Sequence, residues 1–177
     1  MMQLLMIFSY FTDGFAYAAE ALTGRFIGEK NITLLKQSVK YVFVWSMSIA
    51  LGFVAFYMAA GVPLLSIMTS DGEVIRECGK YLWALALMPP LGCAAFTWDG
   101  VFLGATSSKQ LRNSMGGAAV CFFALWWGFC LLFEVGAESR LHVLLLAYFA
   151  HLLFRTVYLS VSYFRGLRKR LEAICAS

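Results

Sequence analysis

Six side chains combine ionisable or polar chemistry with apolar neighbours: Asp13, Tyr17, Glu20, Asp99, His151 and Arg155. Ser9, Asp13, Tyr17 and Glu20 step by four, four and three, which puts them on one helical face. Phe11, Phe15, Ala18 and Leu22 around them are apolar or small. His151, Arg155, Tyr158 and Ser162 form a second stripe with the same spacing. An ionisable group inside hydrocarbon costs at least about 2.5–3.5 kcal/mol on insertion scales. Two such stripes facing one interior would make a cavity or an ion-pair network. One reading is a proton or cation relay in which Arg155 tunes a carboxylate. The other is an interhelical ion pair that only fixes packing. Glu20 also fits snorkelling to water, and Asp99 a cap or loop contact. His151 fits a proton relay or a hydrogen-bonded core histidine.

Depth suggests partners for these groups. Asp13 lies about a dozen residues from the basic end of its apolar run, and Arg155 about ten from its own. Glu20 and Asp99 each lie roughly five residues from that end. Asp13 is therefore expected to share a level with Arg155, and Glu20 with Asp99.

Other chemistry is not encoded. No G-x-S-x-G, H-E-x-x-H or phosphate-binding glycine loop occurs, and no nucleophile–base set suggests an intramembrane enzyme. The five cysteines (Cys78, Cys93, Cys121, Cys130 and Cys175) form no C-x-x-C pair and have no His at zinc-ligand spacing. They read as small apolar filler. No cofactor, metal or nucleic-acid surface is expected.

The elements that must hold these residues follow from composition. The chain has 177 residues, 61% hydrophobic and only 14% charged, with a mean hydropathy of +0.74. That leaves too little polar surface for a water-soluble ball. Residues 41–70, 81–98 and 113–133 contain no Asp, Glu, Lys or Arg, and 141–164 contain only Arg155. At about 20 residues per span the length allows five or six spans, not twelve. The expected fold is an all-α integral membrane bundle of about five transmembrane helices, near 2–24, 38–62, 81–104, 113–134 and 141–164. These make a bundle over 1–164, followed by a basic cytoplasmic tail over 165–177. Backbone polar groups in lipid must pair within each segment, which requires helices. The pair Pro89-Pro90 predicts a kink in the third span.

Charge placement tests this topology. Ten of the 14 Lys and Arg residues fall in the first and third connections and the tail, three fall in the other two connections, and Arg155 lies within a span. By the positive-inside rule the C-terminus is cytoplasmic and the N-terminus lies outside. Trp45 and Trp98 fall near the cytoplasmic interface and Trp83 near the outer one. The first residues lack the basic region and cleavage pattern of a secretory signal. An outside N-terminus is also the pattern left when an odd number of upstream spans is missing.

Asp13-Gly14 and Asp99-Gly100 each precede an apolar stretch that runs into a polar, basic connection, a faint internal echo. The same stretches carry a family likeness. Thr12-Asp-Gly-Phe-Ala-Tyr-Ala-Ala-Glu-Ala-Leu-Thr-Gly-Arg-Phe-Ile-Gly28 resembles the eighth helix of multidrug and toxic compound extrusion (MATE) transporters of the DinF-type branch. Trp98-Asp-Gly-Val-Phe-Leu-Gly-Ala-Thr-Ser-Ser-Lys-Gln-Leu-Arg-Asn-Ser-Met115 resembles the tenth helix and following loop. The five spans then fit helices eight to twelve. The resemblance implies a partial C-terminal lobe of a twelve-helix secondary antiporter in a bacterial inner membrane. Such proteins export organic or cationic compounds in exchange for H+ or Na+. It also implies a missing N-terminal lobe or complementary chain as partner, beside the lipid bilayer and a small-molecule substrate. In some members a coupling acid sits two turns before the tenth helix's G-x-x-x-G. That region is near Gly92 here, so Asp99 does not simply inherit the role. The competing reading is a small stand-alone membrane interaction or assembly subunit without transport activity.

Overall fold

The computed structural model describes residues 2–68, 70–132 and 137–176. They form α1 (Met2–Gly28), α2 (Ile32–Met68), α3 (Gly72–Gly79), α4 (Leu82–Gly104), α5 (Ser108–Leu132), α6 (Ala137–Ser162), a π-turn (Tyr163–Leu167) and α7 (Arg168–Ala176). Four stretches are long and apolar enough to cross a membrane: 32–61, 82–104, 108–131 and 140–173. The helix over the first expected span, α1, is also long, at 27 residues. Asp13, Glu20 and its threonines dilute its apolar character, and it still packs along the bundle. The chain is thus a polytopic helical membrane protein, as its charge-free runs predict.

Helices extend beyond the runs that mark them. α2 begins at Ile32, six residues before the expected span over 38–62, and Asn31 opens it by accepting a hydrogen bond from the Leu34 N–H at 3.0 Å. The short α3 in the second connection was not foreseen. Asp71 caps it by accepting from the Glu73 and Val74 N–H groups. At its far end Lys80 donates to Glu77 at 2.8 Å, which holds the exposed Glu77 carboxyl below the usual carboxylate range. The helix that carries Pro89 and Pro90 runs as one continuous element through both.

The first and third connections share one design, in line with the sequence echo. After α1, the Asn31 N–H bonds to the Phe26 carbonyl and the Lys30 N–H to that of Ile27. After α4, the Ser107 N–H bonds to the Phe102 carbonyl and the Thr106 N–H to that of Leu103. Both are Schellman turns, whose left-handed position usually holds glycine. Here Lys30 (φ 54°) and Thr106 (φ 51°) occupy it. A β-branched residue is strained there. Thr106→Gly is expected to stabilise the protein by about 1 kcal/mol, read as a higher midpoint of thermal unfolding in detergent.

The fourth helix is the centre of the bundle. Of its hydrophobic stretch 72% is buried, against 11% for α5. It packs against α1, α2 and α6, while α5 lies chiefly on α6. Gly100 and Gly104 allow the closest approach. A Cβ on Gly100 would strike the Ala16 carbonyl of α1, and one on Gly104 the Glu20 carbonyl and, at 2.8 Å, Thr23 Cβ. This is the small-residue crossing that apolar helices use in lipid. At the basic end Leu35, Val39, Trp98, Val101, Phe102, Leu159, Tyr163, Leu167 and Leu171 form one core cluster. Trp98, expected at the interface, is therefore buried within that cluster.

The π-turn has a geometric cause. Arg155, Leu159, Tyr163, Leu167 and Leu171 are all buried at four-residue spacing. An α-helix would rotate such a series by about 40° per step, carrying it off the core. The wider turn, closed by the Arg168 N–H on the Tyr163 carbonyl, resets the phase. Leu167 and Leu171 stay seated, and the basic tail becomes a docked helix through Ala176.

Candidate functional site

α1, α2 and α6 each meet α4 through a polar contact. Toward α1, Thr12 Oγ1 lies 3.8 Å from Cys93 Sγ. Toward α2, Thr97 Oγ1 donates to Ser46 Oγ at 3.2 Å. Toward α6, Arg155 Nη2 donates to Asp99 Oδ2 in an ion pair. Polar groups cut off from water interact strongly because nothing screens them, so these contacts fix which faces meet.

The Asp99–Arg155 pair is the most deeply placed charge in the molecule's described residues. Asp99 is 7% exposed and Arg155 8%. The guanidinium also stands 5.8 Å from the centroid of the Phe96 ring, within cation–π range. The pair is neutral overall yet incompletely satisfied. Asp99 Oδ1 and Arg155 Nε are buried with no hydrogen-bond partner among the described residues, and so is the neighbouring Thr156 Oγ1.

This arrangement corrects the pairing expected from depth, because Arg155 meets Asp99 rather than Asp13. A difference of five residues along the helix axis is about 7.5 Å. The long arginine side chain spans it. Asp13 is excluded by direction. The buried positions of α1 are Phe8, Thr12, Ala19 and Thr23, and these face α4. Asp13 and Glu20 lie about 80–100° round the helix from them, on the flank away from Phe15 and Leu22, which pack toward α2. Both carboxylates are half-buried, and neither makes an ion pair among the described residues. Tyr17 lies further round and is 69% exposed. The stripe of Asp13, Tyr17 and Glu20 is therefore real as a face, but it opens outward from this bundle.

The second stripe splits. Arg155 turns into the core. His151 is half-buried and stacks on Tyr148, with centroids 6.2 Å apart and planes 11° from parallel. His142, at the opposite end of α6, stacks near Trp83. Among the described residues no group of three His, Cys, Asp or Glu side chains could hold a metal. Sequence reading missed the Thr97–Ser46 and Thr12–Cys93 contacts. Their only signal is a small hydroxyl in an otherwise apolar run, which is too common to single out.

Known proteins supply the remaining evidence. The MatE family model matches residues 1–126. DNA damage-inducible protein F of Escherichia coli (strain K12) is 34% identical over 122 residues, which is 69% of this chain and 27% of that protein. The chain thus spans about a quarter of the length of this curated relative. No solved structure matches it. The family match covers both glycine-bearing helices of the α1–α4 crossing and the whole of their turns, and with it the chain belongs to the MatE family of multidrug and toxic compound extrusion transporters, which are not enzymes.

Proposed function

We propose that the chain forms part of a MATE-type secondary active antiporter that exports organic or cationic compounds in exchange for H+ or Na+. In this reading it works with a complementary N-terminal lobe, in a bacterial inner membrane, with its C-terminus in the cytoplasm. The observation that supports it is the outward flank of α1. Two half-buried carboxylates, Asp13 and Glu20, make no ion pair among the described residues and lie beside the exposed Tyr17. A membrane helix that keeps acids on an open flank has a use for them there, since burial among apolar groups would cost several kcal/mol. Across a facing lobe, Asp13 and Glu20 would meet a cation, and Tyr17 would offer a ring face to an aromatic or cationic compound. The Asp99–Arg155 ion pair holds α6 against α4, while His151 stacks on Tyr148 within α6.

The test is efflux of a fluorescent organic cation from proteoliposomes holding the chain together with its complementary lobe, under an imposed H+ or Na+ gradient. Asp13→Asn is expected to reduce gradient-driven efflux by about an order of magnitude, the usual size of coupling between two sites. Glu20→Gln is expected to do less, because Glu20 lies nearer the aqueous end. Efflux and ion coupling unchanged by Asp13→Asn would remove Asp13 from the site.

A further inference from the structure

The basic end of the bundle carries a groove apart from the flank of α1. This groove of about 340 Å³ opens between α2, α4 and the π-turn. Its floor is aromatic, made by Phe43, Trp98 and Phe164, and its rim carries Lys36, Lys40 and Arg168. Phe43 and Trp98 rings stand 4.7 Å apart, and Phe164, 60% exposed, leaves the side open.

The rim is organised rather than incidental. Glu172 of α7 pairs with both Lys36 and Arg168, which fixes one cation on each side of the groove. One carboxylate against three cations leaves an excess of two positive charges. Lys40 makes no ion pair among the described residues. The level is also set. Lys36 and Lys40 directly precede the charge-free run 41–70, and Arg165 and Arg168 directly follow the apolar end of α6. The rim therefore lies where headgroups lie, and the aromatic floor begins where acyl chains begin.

From this charge complementarity we infer that the groove binds an anionic phospholipid, its phosphate between Lys40 and Arg168 and its upper acyl chain on Phe43, Trp98 and Phe164. Basic pockets between helices at this level suit such headgroups. The wide π-turn creates the site, because it turns Phe164 outward while keeping Tyr163 and Leu167 in the core. The inference needs only membrane insertion and does not depend on transport.

Native mass spectrometry of the full chain in neutral detergent tests it, with phosphatidylglycerol, phosphatidylcholine or sodium phosphate as the added probe. Phosphatidylglycerol is expected to bind about fivefold or more tightly than phosphatidylcholine. Lys40→Gln is expected to remove about fivefold of that preference, the weight of one basic side chain at an anionic surface, and Lys40→Arg to keep it. Lys109→Gln, at an exposed cation in the first turn of α5, is expected to change nothing. Equal binding of the two lipids would overturn the inference. So would an equal loss from Lys40→Gln and Lys109→Gln, which indicates diffuse surface charge. Displacement of phosphatidylglycerol by millimolar sodium phosphate would also overturn it, by making the groove a free-anion site. Lys40 is exposed and makes no ion pair among the described residues, so its variant reads the groove and not the fold.

Discussion

Arg155→Met is expected to destabilise the protein by about 3–5 kcal/mol, the usual cost of stripping one partner from a buried ion pair. Asp99 is left 7% exposed, with both carboxylate oxygens unpaired and no water-facing route for the charge. Asp99→Leu is expected to cost a similar amount, because the buried guanidinium then loses the carboxylate it pairs with. The double variant Asp99→Leu/Arg155→Met is expected to recover most of the loss, since an apolar pair of similar volume replaces two expensive desolvations. Unfolding in mixed detergent and dodecyl sulfate, followed by circular dichroism, gives the four midpoints of the cycle. A coupling below about 0.5 kcal/mol, the range of independent sites, would show that the pair is not formed. The same double variant separates the two readings of the pair. A latch that only fixes packing leaves transport intact in the complete transporter, whereas a relay does not survive the loss of both charges.

Gly100→Val and Gly104→Val are expected to be as damaging by a different route. The new side chain meets the backbone of α1, at the Ala16 and Glu20 carbonyls respectively, and backbone cannot swing aside as a side-chain tip can. The helices must separate, and α1 loses the layer in which Phe8, Thr12, Ala19 and Thr23 are buried. Overpacking usually costs 1–3 kcal/mol; with a whole helix displaced, about 3 kcal/mol or more is expected for each. Gly14 and Gly116 serve as internal controls. A Cβ at either meets nothing within 4 Å, so alanine there is expected to be neutral or to stabilise by up to about 1 kcal/mol through helix propensity. If Gly100→Val unfolds at the same detergent fraction as Gly14→Ala, the α1–α4 crossing is not as close as described.

Much of the architecture was legible in the sequence, for a physical reason. Lipid imposes one rule on every residue of a span, so charge-free runs mark the helices almost directly. The third span, read as 81–104 from its charge-free run 81–98, is α4 at Leu82–Gly104. Helix ends were less legible, because hydropathy marks the bilayer rather than the helix. Ser108, Lys109, Gln110 and Arg112 are polar, yet they begin α5 well before residue 113. The site was legible by residue and not by partner. Spacing along a helix gives depth and face, and it put Asp13, Tyr17 and Glu20 of α1 on one flank, whereas on α6 Arg155 turns into the core and His151 stacks on Tyr148. Which stripe meets which depends on the order of helices around α4, and no local pattern carries that order. Arg155 therefore found Asp99, and Lys36 found Glu172, more than a hundred residues away. The π-turn left a trace that was not used: buried positions at four-residue spacing are a period that an α-helix cannot hold.

The light contact between α4 and α5 gives the bundle an uneven stiffness. α1, α2 and α4 behave as one plate, riveted at Gly100 and Gly104. α5 rests on α6, and α6 is a beam fastened to that plate at three heights. α7 clamps its basic end through Leu171 and Glu172, the Asp99–Arg155 pair pins its middle, and Phe149 and Leu152 rest on Ala84, Met88 and Ala95 beyond. The fastenings grow softer along its length, from ion pairs and a close-packed cluster to apolar side chains alone. A load applied to the α5–α6 hairpin is therefore taken up as deflection at the end far from the tail, with Arg155 as the fulcrum.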